Sequence, residues 1–298
     1  GGARRANNYP MAQDDVEALF RKLSKPAEFS KYLPSLEIGA YDARQALASD
    51  ECFHASDAEL DEDDAKALGN AITQVAPSTL IALYLGGNAI GSNGLHALIA
   101  ALHAAPSLET LWVANNQIDN NAAAAFEHLA RADAGCMSLK HLAIQKNRMG
   151  DESLQALARA VSGGALPQLR WLYAGENEIG DEGVVALAAA LEHGGCKQLR
   201  RLGLQHNLFG DAALGALGSA LSAGAMPDGE FVYVLGNRFT PVGQAALSSG
   251  IAESEVQVHF GWPPPKTKSF LITPPDLLAP HDDEVYSQPA SQPPTVKA

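Results

Sequence analysis

The stretch from Ser138 to Val161, SLKHLAIQKNRMGDESLQALARAV, decides the fold. Leu139 opens it, Leu142 and Ile144 then keep the two-residue period of a strand, and Leu154, Leu157 and Val161 recur at helical spacing beyond Gly150. Between the two patterns stands Asn147. Aligning the chain with itself on that residue brings Asn88, Asn116, Asn147, Asn177, Asn207 and Asn237 into one column, with successive spacings of 28, 31, 30, 30 and 30 residues. The pattern L-x-x-L-x-L-x-x-N-x-I-G recurs as Leu80, Leu83, Leu85, Asn88, Ile90 and Gly91, and as Leu199, Leu202, Leu204, Asn207, Phe209 and Gly210. Helical positions follow each time, with Leu95, Leu98 and Leu102 in the first copy and Val184, Leu187 and Leu191 in the fourth. Each unit therefore encodes a short strand and a helix. Asp151, Asp181 and Asp211 directly follow the Gly, where a carboxylate is expected to accept the free N–H groups of the helix it begins.

A lone strand and helix cannot bury their apolar faces, whereas stacked copies share one continuous core. Strands stack ~4.8 Å apart and helices ~8–10 Å apart, so the stack curves with its strands inside. This pattern resembles the leucine-rich repeats of the ribonuclease-inhibitor class. The resemblance implies an α/β leucine-rich-repeat solenoid, a horseshoe with parallel strands on the concave face and α-helices on the convex face. It covers six repeats over 78–255, about 60% of the chain, and leaves the function open, because one scaffold hosts many roles. The repeat Asn is read as structural, its amide both donating and accepting where the strand leaves the sheet.

Both ends depart from the pattern as solenoid termini do. A degenerate first repeat is expected over 50–77, with Phe53 and Ala55 at strand positions and Ala65, Leu68 and Ile72 on its helix. Its turn carries Asp50, Glu51, Asp57, Glu59, Asp61, Glu62, Asp63 and Asp64 before the first cation, Lys66. That turn reads as a solvated helix start or as a docking site for a basic partner; Lys66 at the position requiring Gly rules out an EF-hand. Residues 1–49 form an N-terminal extension in which Asp14 and Glu17 mark a helix start, and Val16, Leu19, Phe20 and Leu23 share a face to pack on the first repeat or to recruit another protein. Repeat six is weaker, with Gly229 in place of its first Leu, and a cap strand is expected in 256–262 with Trp262 closing the core. The tail 263–298 holds 9 of the 17 prolines and reads as disordered, with Phe270, Leu271, Ile272, Leu277 and Leu278 as either a short linear motif or a greasy linker.

Composition narrows the function. The 21 Lys and Arg against 34 Asp and Glu give a net charge of −13, a field that repels nucleic acid and anionic lipid. No apolar run reaches the ~20 residues of a membrane span. Phosphate-binding loops, nucleophile elbows and zinc-binding H-E-x-x-H pairs are missing from the sequence, and no metal or cofactor is expected. Cys52, Cys136 and Cys196 lie too far apart to pair; the expected free thiols suit a reducing, cytoplasmic compartment.

Function is legible in the strand residues that point into the concavity, six and four places before each Asn. The first column reads Ala82, Thr110, His141, Trp171, Arg201 and Phe231; the second reads Tyr84, Trp112, Ala143, Tyr173, Gly203 and Tyr233. These twelve positions hold two of the three Trp and three of the seven Tyr. Trp, Tyr and Arg dominate interface energetics. Tyr84, Trp112, His141, Trp171, Tyr173, Arg201, Phe231 and Tyr233 are thus the candidate surface for a protein or peptide partner, with Gln145, Lys146, Glu176, Gln205 and His206 as a polar rim. The alternative is that the rings only pack on one another. Similar repeats also form the Ran GTPase-activating proteins, which suggests action on a small GTPase, but those proteins end in long acidic tails while this tail carries only Asp276 and the cluster Asp282, Asp283 and Glu284. An enzyme inhibitor, or the sensor of an intracellular receptor, completes the set of readings; the inhibitor prototype is Cys-rich and such receptors carry a P-loop, neither of which is found here.

Overall fold

The computed structural model describes residues 13–23, 45, 47–48, 50–131, 136–252 and 255–260. Trp262 and the Pro-rich tail lie outside the described residues. Eight parallel strands form one open sheet in chain order. They are β1 (Cys52–His54), β2 (Ala82–Tyr84), β3 (Thr110–Trp112), β4 (His141–Ala143), β5 (Trp171–Tyr173), β6 (Arg201–Gly203), β7 (Phe231–Tyr233) and β8 (Gln257–His259). Helix α1 (Gln13–Leu23) precedes them. Between consecutive strands run α2 (Glu62–Val75), α3 (Gly91–Ala101), α4 (Ala123–Leu129), α5 (Asp151–Ser162), α6 (Asp181–Glu192), α7 (Asp211–Ser222) and α8 (Pro241–Gly250). The fold is an α/β solenoid.

Pairing is in phase from unit to unit: Leu83, Leu111, Leu142, Leu172, Leu202 and Val232 face one another through successive strands. All six are buried, as are the helix positions Leu95, Leu98, Leu154, Leu157, Val184, Leu187, Leu214 and Leu217. One apolar core therefore runs the length of the stack. The period of two turns the neighbours of that leucine row to the opposite face of the sheet.

Each repeat Asn ties its own strand exit to the preceding unit. Asn147 Oδ1 accepts from the amides of Asn116 (2.8 Å) and Ile118 (3.0 Å), and its Nδ2 donates to the carbonyls of Val113, Ile144 and Gln145. Asn88 and Asn177 make the same kind of bonds, and both are buried.

The aspartates behave differently from the sequence reading. Asp151, Asp181 and Asp211 do not cap the helices they begin; each caps the helix of the following unit. Asp151 Oδ1 accepts from Gly180 and Gly183 amides (both 2.8 Å), Asp181 Oδ1 from Gly210 (2.8 Å) and Ala213 (3.0 Å), and Asp211 Oδ1 from Thr240 (2.7 Å) and Gly243 (3.1 Å). Asn120 serves α5 in the same way, accepting from Gly150 and Ser153. Parallel helices in register place the first side chain of one beside the free amides of the next, so the caps also bind units together.

At the N-terminal end, Val16, Leu19, Phe20 and Leu23 are buried, α1 packs on α2, and Lys22 bridges to the Glu59 carbonyl and the Asp64 carboxylate. The acidic turn starts α2. Asp61 accepts from Asp63 and Asp64 amides at 3.0 Å while Asp64 returns a bond to the Asp61 amide, a capping box. Those amide bonds, first that of Asp64, hold the Asp61 carboxyl below its ordinary pKa. In the last full unit Val232, Val234 and Leu247 are buried, and β8 is the last strand of the described sheet.

Candidate functional site

The register gathers all eight sequence-selected side chains on one face. Tyr84, Trp112, Tyr173 and Tyr233 share one column with Ala143 and Gly203; His141, Trp171, Arg201 and Phe231 share the other with Ala82 and Thr110. Seven of them are half-buried. Tyr84 differs, being 3% exposed and stacked flat on His54 at 4.7 Å, so it supports the face without presenting surface.

The centre of the face is a ladder of flat groups, one per strand. The His141 ring stacks on Trp171 with centroids 4.1 Å apart, the Arg201 guanidinium lies 4.7 Å from the Trp171 ring on the next strand, and the same cation sits 5.7 Å from Phe231. Phe231 and Tyr233 then contact His259 at 5.5 and 4.8 Å. Tyr173 leans toward Trp171 at 6.4 Å. Ring stacking contributes ~0.5–1.5 kcal/mol per pair, and a cation over a ring adds about the same. The rings pack on one another along the ladder and remain half-buried. Backbone without side chains makes room: a Cβ on Gly86 would sit 3.0 Å from the Trp112 indole.

Ionisation is set by burial and neighbours. The Thr110 hydroxyl lies 3.0 Å from His141 Nδ1. Burial, against the pull of Glu109, brings the His141 pKa down to about 4, and Lys140, Arg170 and Arg201 add to the decrease. The ring is neutral at pH 7. Burial opposes the charge of Arg201, but Tyr173 and Glu230 outweigh it and raise the guanidinium above its ordinary pKa.

A third row, absent from the sequence reading, edges the face seven places before each of the last five repeat Asn residues: Glu109, Lys140, Arg170, Arg200 and Glu230. Lys140 pairs with Glu109 at 2.6 Å, and Glu230 receives Arg201 at 3.0 Å and Arg200 at 3.5 Å. The repeat phase that exposed the aromatic columns also contains this row, and reading the charges one place upstream would have found it. His54 and His259 were missed because they belong to terminal units without the Asn. On the opposite edge Lys146 and Glu176 approach at 3.9 Å, each in left-handed backbone, and His206 is exposed. Gln145, expected on that rim, is instead 5% exposed, with its Oε1 lacking a hydrogen-bond partner among the described residues.

Cys52, Cys136 and Cys196 are free thiols. Among the described residues, no group of three or more His, Cys, Asp or Glu is arranged to hold a metal ion, and no helix is long and apolar enough to cross a membrane.

The in-phase strands, the buried Asn bonds and the outer helices define a leucine-rich-repeat solenoid. The Leucine Rich repeat family model matches residues 76–98, 135–158 and 175–188. No curated protein sequence matches the chain. Among solved structures, internalin C2 of Listeria monocytogenes is similar at 15% identity with a TM-score of 0.46, over 83% of this chain and 96% of its own. An internalin F of the same organism (22% identity, TM-score 0.36) and a leucine-rich-repeat protein of Leptospira interrogans (13%, 0.36) each match over 65% of this chain. The matched regions are 49% and 51% of those two chains, so this chain spans about half of their length.

Proposed function

We propose that this chain is a non-catalytic interaction module whose concave face holds a protein or peptide partner. The observation that carries the reading is the half-buried ladder His141–Trp171–Arg201–Phe231 across four adjacent strands. Side chains of these types in a shallow, partly desolvated surface are those on which binding energy concentrates. The ~30-residue unit with its helix supports assignment to the ribonuclease-inhibitor-like class, and three unpaired thiols support a reducing, cytoplasmic setting.

The test is affinity capture with the intact chain and with Trp112→Ala, Trp171→Ala and Tyr173→Ala combined. The combined variant should weaken binding of whatever the intact chain retains by ~1–4 kcal/mol per dominant ring while still melting cooperatively. Unchanged retention by a folded variant would remove this face from the function.

A further inference from the structure

The edge row adds a charge requirement to that surface. In a chain of net charge −13, Lys140, Arg170, Arg200 and Arg201 collect at one margin of β4 to β6 against only two carboxylates, Glu109 and Glu230. Both carboxylates are engaged, Glu109 by Lys140 and Glu230 by Arg200 and Arg201. Arg170, between them in the row, makes no side-chain hydrogen bond or ion pair among the described residues. Its charge helps keep the neighbouring His141 unprotonated. Neighbouring strands lie ~4.8 Å apart, so Lys140, Arg170 and Arg200 fall within a span of ~10 Å. Trp171 and Tyr173 stand on the strand that Arg170 leads into.

We infer that the face recognises an extended peptide segment carrying two or more Asp or Glu residues, with carboxylates on the Arg170 and Arg200 edge and apolar side chains against Trp171, Tyr173 and Phe231. Carboxylates two to three residues apart in an extended segment cover ~7–10 Å, the span of the three cations. A guanidinium takes a carboxylate through two parallel bonds, and an Arg not already paired gives up no internal ion pair in doing so. Glu109 and Glu230 bracket the row, and with the overall negative field they disfavour a long polyanion while admitting a short acidic segment. The inference rests on the concave face being the binding surface, and the experiment separates the two.

A random 12-residue peptide display library is selected on the full chain, on Arg170→Glu combined with Arg200→Glu, and on Trp171→Ala, with each variant's melting curve matched to the parent. Peptides recovered on the parent should be enriched in Asp and Glu by about fivefold over the unselected library and should lose about tenfold in affinity as salt rises from low to high ionic strength. The charge-reversed variant should not enrich acidic peptides, and Trp171→Ala should recover few peptides of any charge. Peptides without acidic enrichment that still need Trp171 would overturn the charge inference and leave the surface reading standing. Acidic peptides recovered equally by the charge-reversed variant would overturn it too. Recovery of no peptide by any chain, or tighter retention of a labelled single-stranded oligonucleotide than of the peptides, would count against both.

Discussion

Replacing Asn147 by Ala tests whether the repeat Asn holds neighbouring units together. The side chain is buried and makes five bonds, two of them accepted from the Asn116 and Ile118 amides of the preceding unit. Ala would leave both amides in the interior without a partner, at ~1–3 kcal/mol each. The Ile144 carbonyl still receives Asn177 Nδ2 at 3.1 Å, so the acceptor side loses less. A water molecule entering the vacated space would recover part of the loss, which sets the expected destabilisation at ~2–4 kcal/mol. Asn237→Ala is the internal comparison: that Asn is only part-buried, accepts one bond from the Asn207 amide, and stands near the end of the stack. Its loss should be ~1–2 kcal/mol. Denaturant unfolding of both variants, with hydrogen exchange at the Asn116 and Ile118 amides, reads the difference. Solenoid units couple mainly to their neighbours, so protection should fall in the second and third units before the fifth. A loss under about 1 kcal/mol for Asn147→Ala with those two amides still protected would refute the reasoning.

Three further outcomes follow from the geometry. Asp181→Ala removes a cap from α7 rather than from α6, so exchange should quicken at the Gly210 and Ala213 amides, with ~1–2 kcal/mol lost; faster exchange at the start of α6 alone would contradict the cross-unit assignment. The His141 ring should titrate by NMR at about 4; because this lies below the ordinary 6.5, its contribution to stability is complete above 6.5 and is lost as pH falls toward 4, and an ordinary midpoint would mean the ring is not buried as described. The Cys196 thiol is buried, donates to the Leu166 carbonyl at 3.3 Å, and is pushed up to about 12 by burial. Iodoacetamide should therefore alkylate it at least about tenfold faster in denaturant than in the folded chain, and equal rates would place the sulfur at the surface.

The architecture was readable because one spacing carried both periodicities: the Asn column fixed the phase, and the phase fixed which of Leu142, Ala143 and Ile144 entered the core. Geometry between units was less accessible. Asp181 is adjacent in sequence to its own helix start and 29 residues from Gly210, so a local reading assigns its carboxylate to the wrong helix. Alternation also says which face a residue occupies without saying what covers it, which is why Tyr84 and Gln145 were expected at the surface yet are buried. The charged edge has the same origin: Lys140, Arg170 and Arg200 are 30 residues apart in the chain and become a group only once the strands align.

That alignment also bears on whether ring packing and partner binding compete for the same side chains. A Trp free to change rotamer loses ~0.5–1.5 kcal/mol of conformational freedom when a partner immobilises it. Trp171 is already held, by His141 at 4.1 Å on one side and by the Arg201 guanidinium at 4.7 Å on the other, and Arg201 is itself fixed by Glu230. The ordering cost falls on folding, where the apolar core beneath the sheet offsets it. Under the proposed function, ladder packing thus makes binding easier. A substitution that loosens the ladder without removing Trp171, such as His141→Ala, should weaken partner binding through loss of this pre-ordering. The effect should be ~0.5–1.5 kcal/mol, smaller than for Trp171→Ala, and should appear in calorimetry as a less favourable binding entropy. Equal affinity and entropy for parent and His141→Ala would show that the stack does not preorganise the ring.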